Sequence, residues 1–130
     1  MQELNIPSGY QRIMPYLIIE GAADFFKFMQ TVFDATEKMK VMRNEHTYMH
    51  AELQIGENTI MFTDATADFP VQNAGLFIYV ANCDDTYNKA LANGATSIME
   101  PVDQDYGRGA GVKDAFGNTW WITGELQSEA

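Results

Sequence analysis

At 130 residues the chain is long enough for one domain with a buried core, and its 46% hydrophobic and 20% charged residues are those of an ordinary globular protein. Eight Lys and Arg against eighteen Asp and Glu leave a net charge of −10, which opposes nucleic acid and anionic membranes as partners and suits a cationic or neutral ligand. Cys83, the only cysteine, excludes an internal disulfide and a multi-cysteine metal site; with no apolar signal core and no run of membrane-spanning length, the expected location is the cytoplasm.

Residues 1–10, polar and broken by Pro7 and Gly9, read as a leader arm. Arg12 to Ile19 reads as a strand, with Pro15 best placed at a free edge or a bulge. After Gly21, residues Ala22 to Phe33 carry Phe25, Phe26, Phe28, Met29, Val32 and Phe33 at helical spacing, an amphipathic helix laid on a sheet. Thr36 to Met42 is a weakly alternating strand, and Asn44-Glu45 a turn. Thr47 to Ile55 alternates Met49, Ala51, Leu53 and Ile55 against Tyr48, His50, Glu52 and Gln54, a half-buried strand. Gly56-Glu57-Asn58 turns the chain into a strand over Thr59 to Thr63.

A loop-like connector with Pro70 and Asn73 leads to Leu76 to Val80, a strand, and to Asp84 to Asn93, a helix closed by Gly94. Ala95 to Pro101 is a strand, Asp103 to Gly111 a glycine-rich strand or loop, and Asn118 to Thr123 the last strand. Glu125 to Ala130 forms an acidic tail. Cys83 sits at a strand-to-helix junction, where helix-start amides lower a thiol pKa, but without a partner base it reads as inert.

The second set of elements repeats the first. Asn58-Thr59-Ile60-Met61-Phe62-Thr63 returns sixty positions later as Asn118-Thr119-Trp120-Trp121-Ile122-Thr123, and Ile18/Ile78, Asp24/Asp84, Ala35/Ala95, Thr36/Thr96 and Met39/Met99 share that offset. The expected organisation is one domain over 1–130: a β-α-β-β-β module over 12–64, a connector over 65–74 and a second module over 75–124.

A tandem of this kind closing on Asp-x-x-Gly-Asn-x-Trp (Asp114, Gly117, Asn118, Trp120) resembles the vicinal-oxygen-chelate superfamily, which includes glyoxalase I, extradiol dioxygenases, fosfomycin-resistance transferases and bleomycin-resistance proteins. The matching phrases are Pro15-Tyr16-Leu17, Phe25 through Phe33 into Asp34-Ala35, His50-Ala51-Glu52-Leu53-Gln54-Ile55-Gly56 and Phe116-Gly117-Asn118. They look most like the branch of small glyoxalase/bleomycin-resistance-like proteins. The resemblance implies an α+β fold whose mixed sheets curve into a cup with helices outside, and a homodimer.

Enzymes of that superfamily hold a divalent metal with ligands from the first and last strand of each module. Those positions fall here at Met14 (or Pro15), Met61 (or Phe62), Gly75 (or Ala74) and Trp121 (or Ile122), none with an imidazole or carboxylate. The usual metal site is therefore expected to be missing, and no cofactor is expected. An atypical site would need His50, Glu52 and a third ligand; His46 and His50 are the only histidines.

Alternation assigns Tyr48, His50 and Glu52 to the concave side. The sixty-residue offset adds Arg108 from the second module, with Ala110 and Val112 following; Met61 and Trp121 stand where metal ligands would, and Tyr16 and Phe77 line the floor. Each has an ordinary alternative: His50 as a solvated strand histidine, Glu52 and Arg108 as an ion pair without ligand, and one of Trp120 and Trp121 packed under a helix. The function expected is binding of a small organic molecule in the cup between the modules, by resemblance a cationic, aromatic one held by acidic charge and ring stacking. The alternative is a lyase, isomerase or dioxygenase of glyoxalase type, with His50 as general base, Glu52 orienting it and Arg108 holding an anionic substrate. A third reading is a purely structural dimeric partner.

Overall fold

Two β-α-β-β-β modules follow one another in an α+β architecture. In the computed structural model, which describes residues 2–126, the order is β1 (Tyr16–Ile19), α1 (Ala22–Phe33), β2 (Thr36–Met42), β3 (Tyr48–Ile55), β4 (Asn58–Asp64), β5 (Gly75–Tyr79), α2 (Cys83–Ala92), β6 (Thr96–Gln104), β7 (Gly107–Lys113) and β8 (Thr119–Gly124). The end of the acidic tail, 127–130, lies outside the described residues. No helix among the described residues is long and apolar enough to cross a membrane.

Each module builds one four-stranded mixed sheet, ordered β1-β4-β3-β2 and β5-β8-β7-β6, with the module's first strand parallel to its last. A parallel return needs a crossover, and the helix supplies it. The first strand begins at Tyr16, later than expected, because the chain from Arg12 to Pro15 still belongs to the arm; only the Pro15 carbonyl joins the ladder, accepting from Met61 N at 3.0 Å. The segment left open as strand or loop is a hairpin. The strand before it continues through Pro101, which is tolerated because β6 is an edge strand and its register breaks between Met99 and Val102.

The aromatic stripe of α1 is buried at Phe25, Phe28, Met29, Val32 and Phe33. It covers the sheet face of Leu17, Leu53 and Phe62, with Phe25 and Phe62 ring centroids 5.2 Å apart. Gly21, at the helix start, has no side chain to cap it. Asp64 at the end of β4 does so instead: Oδ1 accepts from Gly21 N and Ala22 N at 3.0 and 2.9 Å, and Oδ2 from Tyr48 N at 2.6 Å. The carboxylate thus satisfies orphan helix amides and faces the positive end of the helix. In α2 the local residue Asn82 caps, accepting from Asp85 N.

The Asp114–Trp120 turn joins the modules. Asp114 is buried, and its carboxylate accepts from Phe116 N, Asn118 N, Asn118 Nδ2 and Trp120 Nε1 at 2.8–3.1 Å. Asn118 Oδ1 in turn accepts from Ala74 N, tying the turn to the connector. Gly117 has φ +99°, and a Cβ there would lie 2.5 Å from Asn73 Oδ1, so only glycine fits. The rings that the turn positions pack on α1: Trp120 against Phe33 with centroids 4.7 Å apart, and Phe116 against Phe25 and Phe28 at 5.5 and 6.3 Å. The helix-covered faces of both sheets therefore share one core, and the opposite face of each sheet is left open.

Replacing Asp114 by Asn keeps the volume but sets an amide among N–H donors. Urea unfolding should show a loss of about 2–3 kcal/mol for at least one buried donor left unpaired, with an unchanged m-value.

Candidate ligand-binding site

Opposed residues of neighbouring strands point to the same face. On the open face of the first sheet, Tyr16, Met61 and Glu52 lie abreast on β1, β4 and β3, and His50 stands two residues from Glu52 on the same side. Glu52 is only 3% exposed, and each of its oxygens has a partner. Oε1 accepts from the Tyr10 hydroxyl at 2.5 Å, and Oε2 lies 2.8 Å from His50 Nε2. Tyr16 Oη stands 3.4 Å from His50 Nδ1. The Glu52 carboxylate can accept a hydrogen bond from a proton-bearing Nε2 of His50, and in that tautomer of the imidazole the Nδ1 lone pair points toward Tyr16.

Tyr10 comes from the leader arm, which lies across this face. Lys38 donates to the Gly9 carbonyl and, at 2.9 Å, to Thr59 Oγ1, and its ammonium sits 3.9 Å from the centre of the Tyr10 ring. The Gln11 amide bonds both backbone groups of Thr59, donating to its O at 2.8 Å and accepting from its N at 3.1 Å, as a paired strand would. Between arm and sheet is a cavity of about 460 Å3, walled by Leu4, Ile6, Tyr10, Met14 and Met61, with Arg12 also on its border and Glu52 at its floor. Nothing in the periodicity marks Tyr10, Gln11 or Lys38 as part of a site. Tyr10 reaches a residue 42 positions away, and the only local sign is an aromatic residue just after Gly9.

Two expected site residues do not face the cup. Tyr48 is buried on the helix side, its ring 6.1 Å from Phe62. A bulge is the cause: Val41 pairs with His50 but Met42 with Tyr48, so Met49 is an extra residue and turns out to the open side, where it is 51% exposed rather than packed under the helix. Arg108 also lies on the helix side, with the buried Ala110 and Val112. It forks onto Asp84 at 2.6 and 3.2 Å and reaches Asp103 at 3.1 Å. That pairing raises the guanidinium pKa and lowers that of Asp84. Arg108 is thus an ion-pair residue of α2 and β6, with no part at Glu52. Cys83 is buried against Ile122 O, and burial followed by the Asp84 charge pushes its thiol pKa up, the reverse of activation.

Phe77 and Trp121 lie side by side on the open face of the second sheet, with Tyr79 and Tyr106 beside Phe77. A Cβ at Gly111 would fall 2.5 Å from Trp121 Cζ3, so the glycine lets the indole lie flat across β7. No residue of this sheet lines the cavity at Glu52 and Met61. Within one chain the predicted site residues therefore form two groups: Tyr16, His50, Glu52 and Met61 in one, Phe77 and Trp121 in the other.

The donor set does not fit a divalent ion. Among the described residues no three His, Cys, Asp or Glu side chains cluster. His50 and Glu52 are already bonded to each other, Tyr10 holds the second Glu52 oxygen, and His46 stands on the exposed turn before β3.

This arrangement of modules is a known one, and the family model for the Glyoxalase/Bleomycin resistance protein/Dioxygenase superfamily matches residues 11–122. The chain belongs to this superfamily. Solved structures share the fold at low identity. Protein PA1353 from Pseudomonas aeruginosa superposes with a TM-score of 0.72 at 18% identity, over 90% of this chain and 99% of that one. TioX from Micromonospora sp. ML1 gives 0.69 at 17%, over 92% and 100%. The fosfomycin resistance protein FosX from Mesorhizobium loti gives 0.63 at 14%, over 87% and 90%. A search of curated proteins finds no match.

The arm's attachment is set to depend on pH at both ends. Burial pushes the Glu52 carboxyl up, but hydrogen bonds from Tyr10 and His50 and the charges of His50 and Lys38 outweigh it, and the net shift is downward. Its contribution to holding the arm is therefore complete above the ordinary glutamate value of about 4.3 and is lost as pH falls through the lowered one. The Tyr10 phenol is raised by its bond to Glu52, then by burial and the Glu52 charge. Its contribution is complete below the ordinary tyrosine value of about 10 and is lost as pH rises through the raised one. Nuclear Overhauser contacts between the Tyr10 ring and the Lys38 side chain should persist at neutral pH and fade at both extremes. Tyr10→Phe should remove the alkaline loss; contacts that survive both extremes in the wild type would contradict this account.

Proposed function

We propose that the protein is a cytoplasmic binding module that takes a small organic molecule on the open face of its first sheet, without a resident metal. The observation carrying this reading is the buried Glu52 carboxylate, held by Tyr10 and His50 at the floor of a cavity walled by Leu4, Ile6, Met14 and Met61. Apolar walls with a few fixed polar groups are the usual make-up of a small-molecule site. Because both Glu52 oxygens are occupied, its role is to order the floor and tether the arm. Apolar contact with the methionines then contributes most of the affinity, and methionine tolerates ligands of varied shape.

The same reading includes a homodimer. Phe77 is 52% and Tyr79 76% exposed on the second sheet, an aromatic face that a second copy would close over the first-sheet site. By analogy with the family, the cup would then be shared between two chains rather than lie between the modules of one.

One observation favours an enzymatic rival: the 2.8 Å His50–Glu52 contact has the geometry of a base held by its orienting carboxylate, with Nδ1 as the proton acceptor. Arg108 cannot serve that mechanism as the substrate's anion clamp, since Asp84 and Asp103 already hold it.

Titration with the uncharged fluorophore N-phenyl-1-naphthylamine tests the proposal. One saturable site per chain is expected, abolished in Met61→Glu and retained in His50→Ala. Binding indifferent to Met61→Glu would remove the site from this face, and turnover of a bound compound that disappears in His50→Ala would establish the rival. Protein purified without chelators should contain no stoichiometric divalent ion; one ion per chain would overturn the metal-free reading.

A further inference from the structure

The open face of the first sheet has a second cavity, about 400 Å3, beyond the Tyr16–His50 pair. Its walls are Tyr16, Ile18, Met49 and Phe69, and the cation among its lining residues is Arg43. We propose that this end of the face recognises the anionic group of the ligand, so that the molecule bound is a small organic anion, a carboxylate, sulfonate or phosphonate on an apolar, ring-bearing body. This rests on the binding reading above and adds the charge of the ligand.

The charge distribution around Arg43 carries the inference. Its guanidinium meets only neutral oxygens, the Asp64 main-chain O at 3.3 Å and Thr63 Oγ1 at 3.5 Å, both long bonds. Among the described residues it has no carboxylate partner, in a chain with eighteen acidic residues against eight basic ones. The Asp64 carboxylate, which also borders the cavity, is committed elsewhere: Gly21 N, Ala22 N and Tyr48 N hold its two oxygens, beside the positive end of α1. A planar guanidinium with unused N–H groups beside apolar walls is suited to a bidentate oxyanion.

The backbone around the cavity is built for it. The bulge that buries Tyr48 is the same one that turns Met49 into this wall. Just beyond it, Arg43 N donates to Thr47 O at 2.9 Å, and Asn44 Oδ1 accepts from His46 N and Thr47 N at 2.8 Å, fixing the turn from which the arginine extends. At the other end of the face the Glu52 carboxylate has the Lys38 charge near it, and Arg12 borders that cavity, so the two ends do not differ simply in sign. What distinguishes the Arg43 end is a guanidinium that meets only neutral oxygens beside apolar walls, and the anionic head is assigned to it on that ground. The acidic net charge of the whole chain does not decide this contact, because at physiological salt distant surface charges are screened beyond about 8 Å.

Two probes with the same fused-ring body separate charge recognition from apolar binding: 8-anilinonaphthalene-1-sulfonate and N-phenyl-1-naphthylamine, which lacks the sulfonate. Both are titrated against wild type, Arg43→Gln and Arg43→Lys. The sulfonate should bind wild type more tightly than the neutral probe, by a margin that narrows as salt is raised. Arg43→Gln should weaken the sulfonate about tenfold, the effect of a lost charge-assisted bond, and leave the neutral probe unchanged; Arg43→Lys should fall between. Equal affinity of the two probes for wild type, or an equal loss of both in Arg43→Gln, overturns the anion site while leaving the binding reading intact. Failure of both probes to bind wild type overturns the two together.

Discussion

The Asp114 carboxyl group is buried with no cation paired to it among the described residues, and the packing of the two modules depends on how it is satisfied. Four N–H groups within six residues converge on its two oxygens. That holds the Phe116 and Trp120 rings where they meet α1 of the other module, and the Asn118 side chain where it meets the connector. A buried carboxylate is costly unless its lone pairs are filled, and a tight turn rich in N–H groups fills them without a counterion. Asp64 meets the same constraint in the first module with main-chain donors from α1 and β3. Each module thus has a buried carboxylate at a strand end, Asp64 closing β4 and Asp114 following β7, and the two are satisfied by different local chemistry.

What a single chain could reveal follows from this. The α1 helix is legible because six apolar residues fall on one stripe and nearly all pack. The Asp-x-x-Gly-Asn-x-Trp phrase is legible because each of its named residues has a hydrogen-bonding or conformational duty inside one turn. Alternation also places His50, Glu52 and Met61 on one face, since a strand side chain has only two directions to take. It fails at Tyr48 for a definite reason: one inserted residue, Met49, reverses the parity of everything on its far side.

The misplacement of Arg108 has the same origin at longer range. In the paired register Met61 and Trp121 are equivalent at an offset of sixty, but Tyr16 and Phe77 are sixty-one apart, and Glu52 and Gly111 fifty-nine. An offset that is right for the last strand is wrong by one for the strand beside it, and one residue in a strand exchanges the faces. Periodicity cannot carry the arm at all. Tyr10, Gln11 and Lys38 meet through contacts between distant segments, each with a polar partner that many other surface residues could have supplied.

The two modules therefore differ unequally on their two faces, as packing requires. The helix-covered faces remain alike in kind, Leu17, Leu53 and Phe62 in one module and Ile78, Val112 and Trp120 in the other, because both must fill a shared core at high density. The open faces have no such requirement and differ more, although both carry an aromatic residue at the Tyr16 and Phe77 position. The first carries a glutamate, a histidine and methionines; the second has glycine where the first has Glu52, and a tryptophan laid flat in the space that the glycine leaves. A carboxylate at Gly111 could not coexist with that indole, and an indole at Met61 would stand where the arm and its cavity are. Each face thus excludes the chemistry of the other. The carboxylate and imidazole stand on the first face with the Tyr16 ring beside them, and the exposed rings of Phe77, Tyr79, Tyr106 and Trp121 are grouped on the second, so the two faces present different chemistry to whatever covers them.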